Sequence, residues 1–177
     1  MKGKKIVLAV TGSIAAYKTP PLVRLLIRQG AEVRVIVTES ATQFVTPLTL
    51  SVMSKNPVQS TFTNGSTWNN HVELGLWADL ILIAPCSANT IGKLANGLCD
   101  CLLTAVYLSA RCRTFIAPAM DEDMWKHPAI KINLERLTSY GNIILPVGSG
   151  ELASGLVGEG RMLEPNDIIK YLMEIPF

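Results

Sequence analysis

HVELGLWADLILIAPCSANT, residues 71–90, decides how this chain is read. Residues 80–84, LILIA, form a short unbroken apolar run. Such a run marks a strand covered on both faces, and Pro85 is expected to end it. Cys86-Ser87-Ala88-Asn89-Thr90 then opens a helix. At the carboxyl end of a parallel strand, hydroxyl and amide side chains beside the free N–H groups of a helix start make a seat for a phosphate. His71, one of only two histidines, is a candidate acid or base.

Moving outward, residues 5–10 read as a compact strand that Thr11-Gly12-Ser13 turns into a helix over residues 15–29, with Gly30 as its stop. Gly12 permits close backbone approach, and Ser13 can cap the helix while leaving amides for an anion. GxGxxG is not present here, which argues against a nicotinamide dinucleotide. Residues 32–37 supply a second strand with Thr38 and Ser40 at its carboxyl end. If the sheet is parallel, three polar turns converge on one rim. Phe44 and Pro47 lead into a short helix over 48–54. A polar loop over 61–70 delivers the chain to His71, and such a loop can be mobile and reach a neighbouring subunit.

Downstream of the central stretch, a helix over 91–95 is broken by Gly97, and the apolar helical pattern resumes over 102–108. A strand over 114–117 runs into Pro118-Ala119-Met120-Asp121-Glu122-Asp123-Met124-Trp125, where the acids are placed to cap the next helix. An amphipathic helix over 128–140 and a last strand over 142–145 follow. Residues 148–162 carry five glycines, too many for a packed element, so they read as a flexible flap that closes over ligand. A helix over 165–172 ends the pattern. Strands alternating with helices through short turns predict an α/β fold over 1–177: one domain, a doubly wound, flavodoxin-like or Rossmann-like sheet with a mainly parallel core and helices on both faces.

Composition narrows the function. Hydrophobic residues make up 49% and charged residues 17%, with mean hydropathy +0.31, so some apolar surface is expected between subunits. A net charge of +2 without a basic run, and only 6% aromatics, argue against nucleic acid. No apolar segment approaches the ~20 residues of a membrane helix, and Lys2-Gly3-Lys4-Lys5 leads into a strand instead of a signal-peptide core. The chain reads as soluble and cytoplasmic. Cys86, Cys99, Cys101 and Cys112 form no CxxC pair and have no histidine at ligand spacing, so no metal is expected. Cys99-Asp100-Cys101 could form a redox pair, but its neighbours read as interior helix, and its thiols read as small, buried and structural.

Five landmarks in order carry a resemblance: TGSIAAYK from Thr11, HVELGLWAD from His71, APCSANTIGKLANG from Ala84, PAMDEDMW from Pro118 and GELASGLVGEGRM from Gly150. Together they resemble the homo-oligomeric flavin-containing cysteine decarboxylases, above all the branch that acts on phosphopantothenoylcysteine in coenzyme A biosynthesis. The resemblance implies FMN, held by Gly12, Ser13, Ile14, Thr38, Phe44, Ser87, Asn89 and Thr90, with Ala119 and Met120 near the ring. It implies a trimer, or a multiple of trimers, with the flavin at a subunit interface. It also implies a thiol substrate bound by Asp121, Met124, Gly155 and Arg161 in a clamp over 148–162, and catalysis by His71, Asp121 and Ser154. In many bacteria this unit is fused to phosphopantothenoylcysteine synthetase.

The implied chemistry explains why a decarboxylase would use flavin. Loss of carbon dioxide from a cysteine carboxylate leaves a carbanion without an electron sink. Oxidation of CH2–SH to a thioaldehyde supplies one. Two positions depart from the family pattern. The motif PxMNxxMW has Asp121 where asparagine is usual, and the clamp has Ser154 where members that complete the reduction carry cysteine. An ionised aspartate cannot donate a hydrogen bond to the substrate carboxylate, and a hydroxyl is a weaker acid than a thiol. The leading expectation is that Asp121 and Ser154 work as a compensated pair. The alternatives are oxidative decarboxylation of a peptide's C-terminal cysteine, or a flavin-binding regulatory subunit without catalysis.

Overall fold

The computed structural model describes residues 1–174. Five parallel strands form the central sheet: β1 (Lys5–Val10), β2 (Glu32–Val37), β5 (Leu80–Cys86), β6 (Arg113–Pro118) and β7 (Ile143–Ile144). Their order is β2-β1-β5-β6-β7. Counting only these strands, that is the 2-1-3-4-5 order of flavodoxin-like sheets, whose switch point lies between β1 and β5. Ligands in such sheets bind outside the carboxyl ends of the strands at that crevice.

Side-chain alternation divides the core into two layers. Ile6, Leu8, Val10, Leu80 and Leu82 face helices α1 (Thr19–Arg28), α2 (Pro47–Ser54) and α8 (Pro165–Glu174) through Leu22, Leu26, Leu50, Ile168 and Leu172. Val7, Ala9, Ile81 and Ile83 face α3 (His71–Trp77), α4 (Ala88–Ala95), α5 (Leu102–Ser109) and α7 (Pro128–Ser139) through Leu74, Ile91, Leu94, Val106 and Leu137. All seven residues of β5 are buried. Each fully buried aliphatic side chain contributes about 1.5–3 kcal/mol, so this strand anchors both layers.

Four sequence expectations change. Pro85 does not stop β5. The strand runs on to Cys86 past an irregularity between Ile83 and Cys86, across a cis Ala84–Pro85 peptide. Proline lacks only the donor, and its carbonyl still accepts from Thr11 N (3.3 Å) and Thr11 Oγ1 (2.8 Å). The helix expected over 15–29 is two pieces, a 3-10 turn over Ile14–Lys18 and then α1, because Pro20 and Pro21 suit a helix's first turn and not its interior. The thiols of Cys99-Asp100-Cys101 are not buried between interior helices, since Cys99 is exposed and Cys101 half-buried. The segment is an exposed connection between α4 and α5, with Asp100 paired to Lys93 at 2.5 Å, which lowers the Asp100 pKa.

The fourth concerns residues 148–162, read as an irregular flap. They lie within an antiparallel hairpin of β8 (Val147–Glu151) and β9 (Val157–Met162). The expected strand over 142–145 shortens to Ile143–Ile144. The glycines are there for contact. A Cβ on Gly158 would lie 2.2 Å from Glu122 Cδ, and one on Gly160 would lie 2.3 Å from the Met120 carbonyl oxygen. Met120 N donates to Gly160 O at 3.0 Å, so β9 is pressed against the turn after β6. Among the described residues no helix is long and apolar enough to cross a membrane.

Candidate functional site

At the carboxyl rim of the sheet, Thr11 ties the two sides of the switch point. Its hydroxyl donates to Pro85 O and accepts from Ser87 N at 2.9 Å. Gly12 sits against the β2 loop so closely that a Cβ there would meet Ser40 Oγ at 2.5 Å. Three hydroxyls cap the three turns. Ser13 Oγ accepts from Ala15 N (3.3 Å), Thr38 Oγ1 from Ala41 N (3.3 Å) and Ser87 Oγ from Thr90 N (3.4 Å). A helix start leaves several N–H groups without intrahelical acceptors, and Ser87 occupies only that of Thr90 at the start of α4. Thr90 is buried and lies 3.2 Å from Ser87 through their hydroxyls, Asn89 is exposed, and Phe44 follows the Thr38 turn half in solvent.

A cavity of about 450 Å³ opens beside this rim. Its walls include Ser13 and Ile14 from the first turn, Ala119, Met120 and Asp121 from the turn after β6, and Arg161 from β9. Thr38, Phe44, Ser87, Asn89, Thr90, Ser154 and His71 are outside its lining. Ser154 nevertheless reaches the site, since its hydroxyl donates to Asp121 Oδ2. Asp121 stands at the N-cap position of α6 (Glu122–Lys126) but makes no capping hydrogen bond with its side chain. Its carboxylate is directed to the hairpin. Arg161 Nη1 donates to Glu151 O at 3.1 Å across the β8–β9 pair. Met124 is half exposed on α6, and Gly155 takes φ +85° in the hairpin turn, donating to Leu152 O at 2.9 Å.

His71 is placed apart from these groups. It begins α3, whose first amides, Val72 N and Glu73 N, are capped by Asn70 Oδ1 at 3.1 Å. Phe62 and Trp68 pack edge-on against its ring, each with centroids 6.0 Å away. The loop before it carries a two-residue hairpin, β3 (Thr63–Asn64) and β4 (Thr67–Trp68), and is anchored by buried Asn69, which accepts from Gln59 Nε2 (3.1 Å) and donates to Thr61 O (2.7 Å). His71 Nδ1 is buried with no hydrogen-bond partner. A buried polar atom without a hydrogen bond costs about 1–3 kcal/mol, so His71 is held here against that cost by its packing.

The sequence did not disclose two members of the cavity wall, Tyr17 and Lys18. Lys18 is almost fully buried, with Nζ donating to Met162 O (2.9 Å) and Glu164 Oε1 (2.6 Å). Nothing local signals a pairing across 146 positions. Cys86, below the rim, is fully buried, and burial pushes its thiol pKa upward, so it remains a neutral packing group.

The chain matches the Flavoprotein family over residues 1–175. It is 43% identical over 172 residues to the coenzyme A biosynthesis bifunctional protein CoaBC of Bacillus subtilis (strain 168), covering 96% of this chain and 42% of that protein. It is 59% identical over 128 residues to a cysteine/cysteine sulfinic acid decarboxylase of an unknown prokaryotic organism, covering 71% of this chain and 36% of that one. The chain thus spans less than half the length of these curated relatives. Among solved structures, a PPC decarboxylase cysteine-to-serine mutant complexed with pantothenoylaminoethenethiol superposes with TM-score 0.88 at 36% identity, over 98% of this chain and all of that one. The FMN binding protein AtHal3 superposes with TM-score 0.83, also at 36% identity, over 98% of this chain and 96% of that one. With the switch-point rim and the family match agreeing over nearly its whole length, this chain belongs to the Flavoprotein family.

Proposed function

We propose that the chain catalyses FMN-dependent decarboxylation of 4′-phospho-N-pantothenoylcysteine to 4′-phosphopantetheine, a step of coenzyme A biosynthesis. The observation that carries this reading is one cavity that holds the flavin-side residues Ser13, Ile14, Ala119 and Met120 beside the Arg161 guanidinium, which suits a cysteine carboxylate, and beside Asp121, whose carboxylate accepts from the Ser154 hydroxyl. The similarity to CoaBC and to the PPC decarboxylase structure supports the choice of substrate.

The residues fit the cofactor. Gly12, with no room for a Cβ, and the helix start after Ser87 suit a phosphate. Ile14, which is 55% exposed, and Met120 offer apolar surface to a ring. Bound FMN would take two electrons from the substrate CH2–SH, which makes loss of carbon dioxide feasible, and would return them to the decarboxylated enethiol to give phosphopantetheine. The chain's own groups do the rest. Arg161 holds the substrate carboxylate, a task Asp121 cannot share while ionised. Asp121 accepts the hydroxyl proton of Ser154 in a hydrogen bond and so fixes that side chain over the cavity. His71 transfers a proton. Its separation from the cavity within one chain fits the trimer, with flavin at a subunit interface, in which α3 of one copy serves the cavity of another. The chain works in the cytoplasm beside, or fused to, the synthetase that makes its substrate.

A second reading, free cysteine as substrate, is favoured by Asp121, whose carboxylate complements an unacylated α-ammonium. The 59% identical relative bears the matching name. The test is carbon dioxide release by FMN-reconstituted protein from phosphopantothenoylcysteine, free cysteine and a cysteine-ended peptide. Preference for the first is expected; release from only another substrate, or from none, overturns the proposal.

A further inference from the structure

Arg161 stands in the cavity wall with a carboxylate close behind it. Its Nη1 donates to Glu151 O at 3.1 Å, and Gly150 makes room for the guanidinium, since a Cβ there would lie 2.9 Å from Nη1. Its Nη2 is 3.9 Å from Glu164 Oε1, beyond hydrogen-bond length. That same oxygen lies 2.6 Å from Lys18 Nζ, so Glu164 is committed to the lysine. The Lys18 side chain is 5% exposed, and a buried ammonium is costly to leave unpaired, which keeps Glu164 where it is. Lys18 Nζ also donates to Met162 O at 2.9 Å and so fixes the backbone of β9 one residue past Arg161. One buried lysine therefore holds both the strand that carries the arginine and the carboxylate nearest to it.

We propose that Lys18 is a positioning residue that keeps Arg161 free for the substrate carboxylate by holding Glu164 away from it. This rests on the reading of Arg161 as the group that receives that carboxylate. Glu164 stands three positions after Arg161, and with Lys18 removed Arg161 is the one cation within 4.0 Å of it among the described residues. A small shift of an exposed side chain would then close the 3.9 Å gap into a charge-assisted pair and spend the donors that a substrate would use. The cavity wall already sets two carboxylates, Asp121 and Glu151, against Lys18 and Arg161. A third closing on the arginine would remove the charge that draws an anion there.

The test is calorimetric binding, to the FMN-loaded protein, of phosphopantothenoylserine, in which a hydroxyl replaces the thiol, and of phosphopantothenoylethanolamine, which also lacks the carboxylate. The wild type should bind the carboxylate-bearing ligand at least about tenfold more tightly. Lys18→Met should lose that preference while keeping its affinity for the ethanolamine ligand. Lys18→Met/Glu164→Gln should regain it, a rescue that a merely structural lysine would not show. Glu164→Gln alone changes an exposed side chain and should keep the preference, and it decides the matter if Lys18→Met does not fold. A preference that survives Lys18→Met, that stays lost in the double variant, or that disappears in Glu164→Gln overturns the assignment and leaves the decarboxylase reading standing. Equal binding of the two ligands by the wild type takes the carboxylate away from Arg161 and overturns the proposal. If the wild type binds neither, the substrate reading fails, and the positioning role with it.

Discussion

In the proposed mechanism the chemistry turns on Asp121 and Ser154, whose side chains are hydrogen-bonded to each other. Asp121→Asn keeps an acceptor for the Ser154 hydroxyl but replaces the charge with an amide that can donate. For an N-acylated cysteine substrate KM should fall by about tenfold, whereas any turnover of free cysteine should weaken by a similar factor; opposite movements would contradict the roles given to the two carboxylates, enzyme and substrate. His71→Asn should lower kcat by about 10²- to 10⁴-fold, the range for a lost proton-transfer group, while the purified protein keeps its flavin colour. Retained turnover would remove His71 from the mechanism. Both residues stood out in the sequence, one as a rare histidine and the other by its place in PAMDEDMW. The hydrogen bond joining Asp121 to Ser154 did not, because it spans 33 positions and depends on how the hairpin folds back.

At the level of elements, β1, β5 and β6 were legible because each holds an apolar run bounded by turn residues, the pattern of strands covered on both faces, and β2, EVRVIV, because charged residues alternate with valines at its start. The β8–β9 hairpin was not, since glycines erase the alternation that announces a strand and their reason lies elsewhere, in the backbone of Met120 and the side chain of Glu122. Pro20-Pro21 mark the true start of α1, because proline suits the first turn of a helix. Gly160→Ala, at φ +132° and against the Met120 carbonyl, should lift the hairpin from the site. Substrate KM should rise well over tenfold, while the sheet, packed independently of β9 along most of its length, keeps its melting temperature to within a few degrees. A large loss of Tm would instead make the hairpin part of the folding core. Gly75→Ala tests α3, because its Cβ would sit 3.1 Å from the backbone of Ser109 and Ala110. A destabilisation of about 1–3 kcal/mol is expected from this overpacking, read as a lowered urea midpoint.

For the molecule as a whole, the flavodoxin-like order places the rim, the cavity and the hairpin at one end of the sheet, and leaves apolar side chains such as Leu48, Val52 and Leu76 exposed along its flanks. Sedimentation should give a particle of three 19.2 kDa chains or a multiple of it; a monomer that turns over substrate would contradict a shared site. The measurement that bears most directly on the central claim is anaerobic mixing of the FMN-loaded protein with phosphopantothenoylcysteine, with flavin absorbance and product mass followed together. Transient bleaching that recovers as phosphopantetheine accumulates is the predicted result. An unchanged flavin spectrum over intact substrate would contradict it.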